Sequence, residues 1–552
     1  MARDATSCAQ SSSLSVEEST ASPSVTLSRT SERATPYEQG EVERSSHQSA
    51  TWAIPARPPS CSPEEGELFL DISTQDAILR RVGVATALKR VLSHHCTDIR
   101  MAITLASVCR LFRSMTLLSP QSWAVVSHLS RKGMDQLGII MGRSAQLPLS
   151  LDLTFKPSET AVTLIEITRN IPRCRYLSLR IPEATSAQAT SFNQLFSDVP
   201  ATRLRRLRLE FADALPLVLP RKLFIGEAPR LREIQLRLGL LPSECPALHT
   251  VTTLIALDDS VQSVHIQRGF TLCPRLRHFR MNGIIPTAEF VGTAPATLVS
   301  LHIAETNLDG RTTQTVQFLR GLCHERIEEI RVQRVRIESL KFIAKTLFAI
   351  KEFGFLRKLE DDQIDASKSA NACTSAHLLL EDEMRHLRIF SSVLAPKELE
   401  IQAFFQQQMC TTLVRLTLGD RLFARDVEHL QSHSRSLVNL RHVKIVCLGW
   451  SASGFEKGSI SLFDLASRQS SGSRWDVPPL RSVGITSVNP FRADAAFRES
   501  QNTTVHLAGR SIGSLITWFS RNGPPEQVIL EAIEVRGGVN QLRPLTGNVL
   551  VR

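Results

Sequence analysis

The 552-residue chain lacks any run of apolar residues long enough to cross a membrane as a helix, and its first residues lack the apolar segment of a signal peptide. Its 11 cysteines include no C-x-x-C pair, which argues against a zinc ribbon and a disulfide framework. We therefore expect a protein of the cytosol or nucleus, with no membrane partner and mostly buried thiols.

Motifs for nucleotide binding and catalysis are also missing or incomplete. Neither G-x-x-x-x-G-K-[ST] nor G-x-G-x-x-G occurs. Gly509–Gly513 is a formal G-x-S-x-G, but no histidine follows His506 to complete a hydrolase triad. His429 and His433 are four residues apart, without a third metal ligand in view. We predict a binding protein that is not an enzyme and has no metal or cofactor.

Lysine is scarce, since only 12 of the 65 basic residues are lysines, while the net charge is +11. The planar fork of arginine suits carboxylates and phosphates, so the composition favours acidic partners. Biased codon usage is the simpler explanation of the arginine excess. Aromatic residues are only 6%, which argues against single-stranded nucleic acid as the partner. A basic, nucleic-acid-associated protein is therefore the lowest-ranked hypothesis.

Composition divides the chain into three parts. Residues 1–66 are rich in Ser and Thr and poor in large apolar side chains, which predicts a disordered tail. Residues 67–145 contain short helical patterns over 77–92 and 98–112, which predict a small all-α module. Residues 146–552 form the third part, with loop insertions predicted near 358–376 and 451–479.

The pattern apolar-x-x-apolar-x-apolar recurs through this third part, mostly at intervals of about 22 to 30 residues. It predicts an α/β leucine-rich-repeat solenoid, with parallel strands on the concave wall and helices on the back. Helices are predicted over 159–170 and 337–355. The pattern starts at residues 148, 174, 204, 231, 261, 276, 298, 327, 396, 413, 440, 480 and 525.

Two stretches resemble a known family. The sequence Leu105-Ala-Ser-Val-Cys-Arg-Leu-Phe-Arg113, followed by Leu118-Ser-Pro-Gln-Ser-Trp123, resembles the second half of a fungal F-box. The segment 219–236, LPRKLFIGEAPRLREIQL, is similar to a repeat of basidiomycete F-box/leucine-rich-repeat proteins. The resemblance covers about residues 70–450, but the usual opening L-P-x-E-[IL]-L of the F-box is missing.

This resemblance implies a substrate receptor of a Skp-cullin-F-box E3 ubiquitin ligase. Its helical module would dock the Skp adaptor and its repeats would hold a target protein, while other subunits supply the chemistry. The alternative is a repeat scaffold that does not bind the adaptor, which the missing opening would explain. The adaptor-binding residues that we predict from the resemblance are Leu105, Val108, Cys109, Phe112 and Trp123. These same residues could instead pack the core of the module.

Residues that alternate with the core leucines of each strand point to the opposite face. On that wall we predict that arginines bind an acidic or phosphorylated target segment. The alternative is a solvated face on which Glu210, Glu233 and Glu329 pair with these arginines. The predicted target-binding residues are Arg206, Arg208, Arg237, Arg280 and Arg331.

Overall fold

The computed structural model describes residues 99–127, 129, 134, 136–155, 160–181, 186–211, 217–257, 263–282, 292–304, 313–333, 337–359, 374–393, 410–447, 459–468, 475–487, 505–520, 522–546 and 548–552. All of them belong to one compact unit, residues 78–552. The predicted tail, residues 67–98 of the predicted helical module and the pattern starting at residue 396 lie outside the described residues.

Within these residues, 17 strands form one large, mostly parallel sheet, and helices connect many of them. The fold is therefore mixed α/β, as predicted at that level. The strands are β1 Val125–Ser127, β2 Leu149–Thr154, β3 Cys174–Ile181, β4 Arg206–Phe211, β5 Glu233–Arg237, β6 Thr253–Ala256, β7 His278–Asn282, β8 Ser300–Ala304, β9 Glu329–Gln333, β10 Ile350–Leu359, β11 Thr374–Asp382, β12 Leu387–Val393, β13 Arg415–Gly419, β14 His442–Val446, β15 Ser482–Thr486, β16 Gln527–Glu531 and β17 Val549–Val551.

The strands follow one another in the sheet, with one exception. From β1 to β9, each strand pairs in parallel with the next along the chain. The next neighbour of β9 is β12, which is followed by β11 and β10 as an antiparallel meander in reverse chain order. Strand β10 then pairs in parallel with β13, and the regular succession continues to β17.

Helices return the chain between parallel strands, as parallel pairing requires. Among them, α4 joins β2 to β3, and it ends where Pro172 opens a short 3-10 turn. The helices are α1 Ile99–Val108, α2 Arg110–Leu117, α3 Leu137–Arg143, α4 Thr160–Asn170, α5 Ser186–Ser197, α6 Ser263–Leu272, α7 Thr313–Gly321, α8 Ile337–Ala344, α9 Ala424–His433, α10 Leu462–Arg468 and α11 Gly509–Phe519.

One hydrophobic core runs along the sheet. In register across neighbouring strands, Leu151, Leu177 and Leu207 are fully or almost fully buried, and the same row continues through β9. Helices supply the other side of this core, for example through Leu164 and Ile167 of α4. The alternation of apolar and polar residues in each strand therefore separates a core face from an opposite face. We call the opposite face of β2 to β9, which carries Arg206, Arg208, Arg237, Arg280 and Arg331, the polar face.

The structure corrects two predicted elements. The pattern starting at residue 261 is not a strand, since α6 covers residues 263–272. The helix predicted over 337–355 ends at Ala344 and gives way to β10. The insertion predicted near 358–376 lies mostly outside the described residues, between the described ends of β10 and β11. The described part of the one near 451–479 contains a short strand over 459–461 and α10.

Candidate protein-interaction surfaces

The first candidate surface lies on α1 and α2, which pack together just before β1. Cys109 separates the two helices, and its Sγ accepts a hydrogen bond from the amide of Phe112 at 3.5 Å, which caps α2. Large apolar side chains here are exposed to solvent rather than directed into the core. They are Met101, Ile103, Val108, Leu117 and Leu118. We call these five residues together the apolar patch of α1 and α2; Met101 and Val108, seven residues apart, share one side of α1, and Ile103 lies on another side.

The predicted adaptor-binding residues divide into two groups. Val108 is 62% exposed, Cys109 is exposed, and Leu105 and Phe112 are half-buried. Trp123 is only 3% exposed, and its indole Nε1 donates a hydrogen bond to the carbonyl of Thr116 at 2.8 Å. The guanidinium of Arg143 lies 4.8 Å from the Trp123 ring centroid. Trp123 therefore packs the interior, as the alternative interpretation held. This corrects the prediction that Trp123 contacts a partner directly.

The second candidate surface is the polar face of the sheet, where the predicted arginines form ion pairs with glutamates. Arg206 Nε lies 3.1 Å from Glu233 on the neighbouring strand. Arg208 donates to Glu210 two residues further along β4, and Arg180 reaches the same carboxylate at 2.9 Å. These pairs are the ones that the solvated-face interpretation predicted.

Two further predicted arginines lie on β5 and β9. Arg331 donates to Glu329 on its own strand. Arg237 is exposed at the end of β5, opposite Glu210 in register. The glutamates thus cancel much of the positive charge that composition alone suggested for this face.

One row of the polar face differs from the rest. Arg280 on β7, His302 on β8 and Arg331 on β9 are directly opposite one another in register. His302 is 7% exposed, and burial together with Arg280 and Arg331 lowers its pKa to about 3. The predicted site did not include His302, although aligning the three strand patterns places it between the two arginines.

A cluster of charges follows on the strands beyond the meander. Arg415 on β13 bonds Glu352 of β10 at 2.7 Å and Glu381 of β11 at 2.8 Å. Burial raises the pKa of Glu352, Arg415 opposes this shift and Glu381 adds to it. The predicted site includes none of the three. Glu352 lies in the part of β10 that was predicted as helix, Glu381 lies on β11, which has no recurring pattern, and Arg415 lies on a predicted strand but was not among the predicted target-binding residues.

Several residue types that serve catalysis elsewhere are structural here. Burial raises the pKa values of Cys174 and Cys273 to about 12, so their nucleophilic thiolates are scarce at neutral pH. The formal G-x-S-x-G, Gly509–Gly513, forms the start of α11 directly after a strand over residues 505–508, and both of its glycines are buried. The rings of His429 and His433 lie side by side on α9, with centroids 4.4 Å apart and planes tilted by 48°. Among the described residues, no group of three or more His, Cys, Asp or Glu could hold a metal ion.

No known family model matches this chain, and no curated protein matches it. In the part of the chain that the structure describes, no helix is both long enough and apolar enough to cross a membrane. The surfaces themselves, rather than a relative, therefore carry the functional interpretation.

Proposed function

We propose that the chain is a leucine-rich-repeat solenoid with an F-box-like helical module, and that it acts as the substrate receptor of a Skp-cullin-F-box ubiquitin ligase. The observation that carries this proposal is the apolar patch of α1 and α2. Exposed apolar side chains that cluster on a small helical unit are typical of protein interfaces. The patch lies in the segment that resembles an F-box and directly precedes the parallel strands, which is the order of parts that such a receptor needs.

The solenoid part of the proposal rests on the succession of strands. Parallel strands that each pair with the next one along the chain, with a connecting helix between many of them, are the arrangement that repeat architectures use. The reversed meander departs from a uniform repeat, and so do the connections between β4 and β6, whose described residues form short 3-10 helices over 223–226 and 246–248 and no α-helix. In this proposal the helical module binds the Skp adaptor, and the polar face holds the target protein.

A binding measurement with purified Skp adaptor and the full chain tests the proposal. Val108→Asp places a charge in the apolar patch at a side chain that is already 62% exposed, so the fold tolerates it. The matched control is Ile139→Asp on α3, where the side chain is 60% exposed. We expect Val108→Asp to weaken adaptor binding at least about tenfold and Ile139→Asp to leave it unchanged, because desolvated apolar contacts dominate such interfaces.

The second candidate is a repeat scaffold that does not bind the adaptor, and the burial of Trp123 favours it. With this aromatic side chain in the interior, the module presents less aromatic area to a partner. If the folded full chain shows no saturable binding to the Skp adaptor, the receptor proposal is wrong and the scaffold replaces it. Trp123→Ala is unsuitable as a test, because it would create a cavity in the core.

A further inference from the structure

The row of Arg280, His302 and Arg331 combines positive charge with hydrogen-bonding atoms of His302 and Arg331 that have no partner in the described part of the chain. Neighbouring strands of a sheet are about 4.8 Å apart, so residues in register on one face have adjacent side chains. His302 points away from the core, since Leu301 and Ile303 on either side of it are fully buried. Its burial therefore arises on the polar face, beneath its neighbours.

Two polar atoms in this row are buried without a partner. Within the described residues, Nε2 of His302 and Nη1 of Arg331 have no hydrogen-bond acceptor. Arg331 donates from its Nε to Glu329, so Nη1 is the buried nitrogen of this guanidinium that remains without a partner among the residues described. Buried donors without acceptors are costly, which means that something in solution should satisfy them.

We propose that Arg280, His302 and Arg331 form a binding site for a phosphate group. The guanidinium of Arg280 would contact the phosphate from β7, and Nη1 of Arg331 would contact it from β9. His302 lies between them and donates from Nε2 when that nitrogen carries the proton. Three donors converging from three strands match the several oxygens of a phosphate better than the two of a carboxylate.

The electrostatics of the row agree with this geometry. A low pKa keeps the imidazole of His302 neutral at physiological pH, so it acts as a hydrogen-bond donor rather than as a third cation. Glu329 is the carboxylate beside the row, and its bond to Arg331 holds that guanidinium in place. An anion bound between the arginines would raise the pKa of His302, because it favours the charged imidazolium.

The phosphate has two possible sources, which are free inorganic phosphate and a phosphorylated side chain of a target polypeptide. The second source rests on the receptor function proposed above, because only a receptor would present a polypeptide to the polar face. The site itself does not depend on adaptor binding. Its presence and the receptor function can therefore fail separately.

Isothermal titration of the full chain with inorganic phosphate, at constant ionic strength and with chloride as the reference, tests the site. We expect saturable binding that Arg280→Gln and Arg331→Gln each weaken at least about tenfold, because each loses a charge-assisted hydrogen bond. Arg206→Gln on the same face is the matched control and should bind like the unaltered chain. Circular dichroism of each variant without phosphate checks its folding.

A second measurement follows His302 itself. Carbon-13 NMR of labelled histidine, with His302 assigned through His302→Gln, should show its titration midpoint move upward when phosphate is added. Absence of saturable phosphate binding by the folded chain would overturn the site. Binding that neither Arg280→Gln nor Arg331→Gln weakens would overturn it as well.

Degenerate peptides with a central phosphoserine, compared with the same peptides carrying serine, separate the two sources. Phosphopeptide binding at least tenfold tighter than inorganic phosphate, and lost in Arg280→Gln, assigns the site to a phosphorylated polypeptide. Equal affinities assign it to free phosphate. Phosphate binding without adaptor capture leaves the site intact and removes the receptor function, whereas adaptor capture without phosphate binding does the reverse.

Discussion

His302 makes the stability of the fold depend on pH in a defined direction. Its imidazole faces Arg280 and Arg331, the latter bonded to Glu329, and its pKa of about 3 lies below the 6.5 of an unfolded histidine. As pH falls, the unfolded chain takes up the proton first, so stability present above about pH 6.5 is lost on acidification. From this residue alone we expect the free energy of unfolding to drop by about 2 kcal/mol between about pH 7 and about pH 5.

Urea unfolding of the full chain at both pH values measures this drop. In His302→Gln, the part of the drop in unfolding free energy that His302 contributes should disappear, because glutamine does not titrate. The control is His278→Gln, the same substitution at an exposed histidine on β7. A pH dependence that is the same in His302→Gln and in the unaltered chain contradicts this prediction.

Arg388 on β12 is a buried residue that, unlike His302, carries a charge, and it lies on the core side of the sheet. It is fully buried, and its Nη1 donates to the carbonyls of Ile327 at 2.8 Å and Glu328 at 3.2 Å. Burial lowers its pKa to about 10, so the guanidinium remains charged at neutral pH. It therefore ties β12 to the start of β9 by hydrogen bonds that water cannot replace.

Removing this side chain should be strongly destabilising. We expect Arg388→Ala to lower the free energy of unfolding by about 3 kcal/mol or more, since it leaves a cavity and removes the hydrogen bond to the carbonyl of Ile327. The carbonyl of Glu328 keeps the amide of Leu387 as a donor. Arg435→Ala is the comparison, because the Arg435 side chain is 82% exposed and pairs with Asp476 at the surface. Its cost should be no more than about 1 kcal/mol. Similar urea midpoints for the two variants would show that Arg388 is dispensable.

At the scale of single residues, the sequence predicts the face of the sheet on which a side chain lies better than it predicts which residues that side chain contacts. The alternating pattern correctly separates Leu207 and Leu209 in the core from Arg206 and Arg208 on the polar face. It leaves open whether these arginines pair with glutamates, as they do, or bind a target, because pairing depends on how far each side chain reaches along and across strands. Trp123 shows the same limit, since its burial depends on how the short 3-10 turn 120–123 packs beside α2.

Among the elements, α6 illustrates how closely a helix approaches the sheet. A Cβ atom added at Gly269 would lie 2.9 Å from Cδ2 of Leu254 on β6 and 3.4 Å from Cδ1 of Leu241. Both leucines are buried and have little room to move. Glycine at this position therefore permits close packing rather than an unusual backbone conformation.

Gly269→Ala should for this reason destabilise the protein by about 1 kcal/mol or more, although alanine is the better helix former. Gly142→Ala on α3 is the control, because no atom lies within 4 Å of the added Cβ. That variant should gain up to about 1 kcal/mol. Thermal unfolding of both variants measures the difference, and a stabilising effect of Gly269→Ala would refute close packing as the reason for the glycine.

The predicted helix over 337–355 is wrong in its second half because the apolar residues there fit both the helical and the strand period. In residues 337–355, Leu340 and Ile343 continue in helical spacing into Leu347, while Phe353 and Phe355 alternate as in a strand. The helix ends before Ala349, whose φ of 51° is a conformation that alanine rarely adopts. Nothing in the residue type signals such a break, so the pattern alone could not place it.

At the scale of the whole molecule, the mixed α/β class and the succession of parallel strands follow from the recurring pattern. The reversed meander does not, because β10 and β11 lack the regular pattern, β11 pairs antiparallel with both of its neighbours in sequence, and β10 pairs with the distant strand β13. Net charge misleads at this scale as well. The chain carries a net charge of +11, yet Arg206, Arg208 and Arg331 on the polar face are each paired with a glutamate.

The reversed meander also determines the order in which the chain can fold during synthesis. Strands β1 to β9 can each join the sheet as they leave the ribosome, since each pairs with the one made before it. Strand β10 must wait, because its described partners are β11 and β13, and the place beside β9 belongs to β12. Until residue 393 has emerged, β9 is an open sheet edge that can pair wrongly. Nascent chains stalled between residues 350 and 386 are therefore the ones that we expect to aggregate.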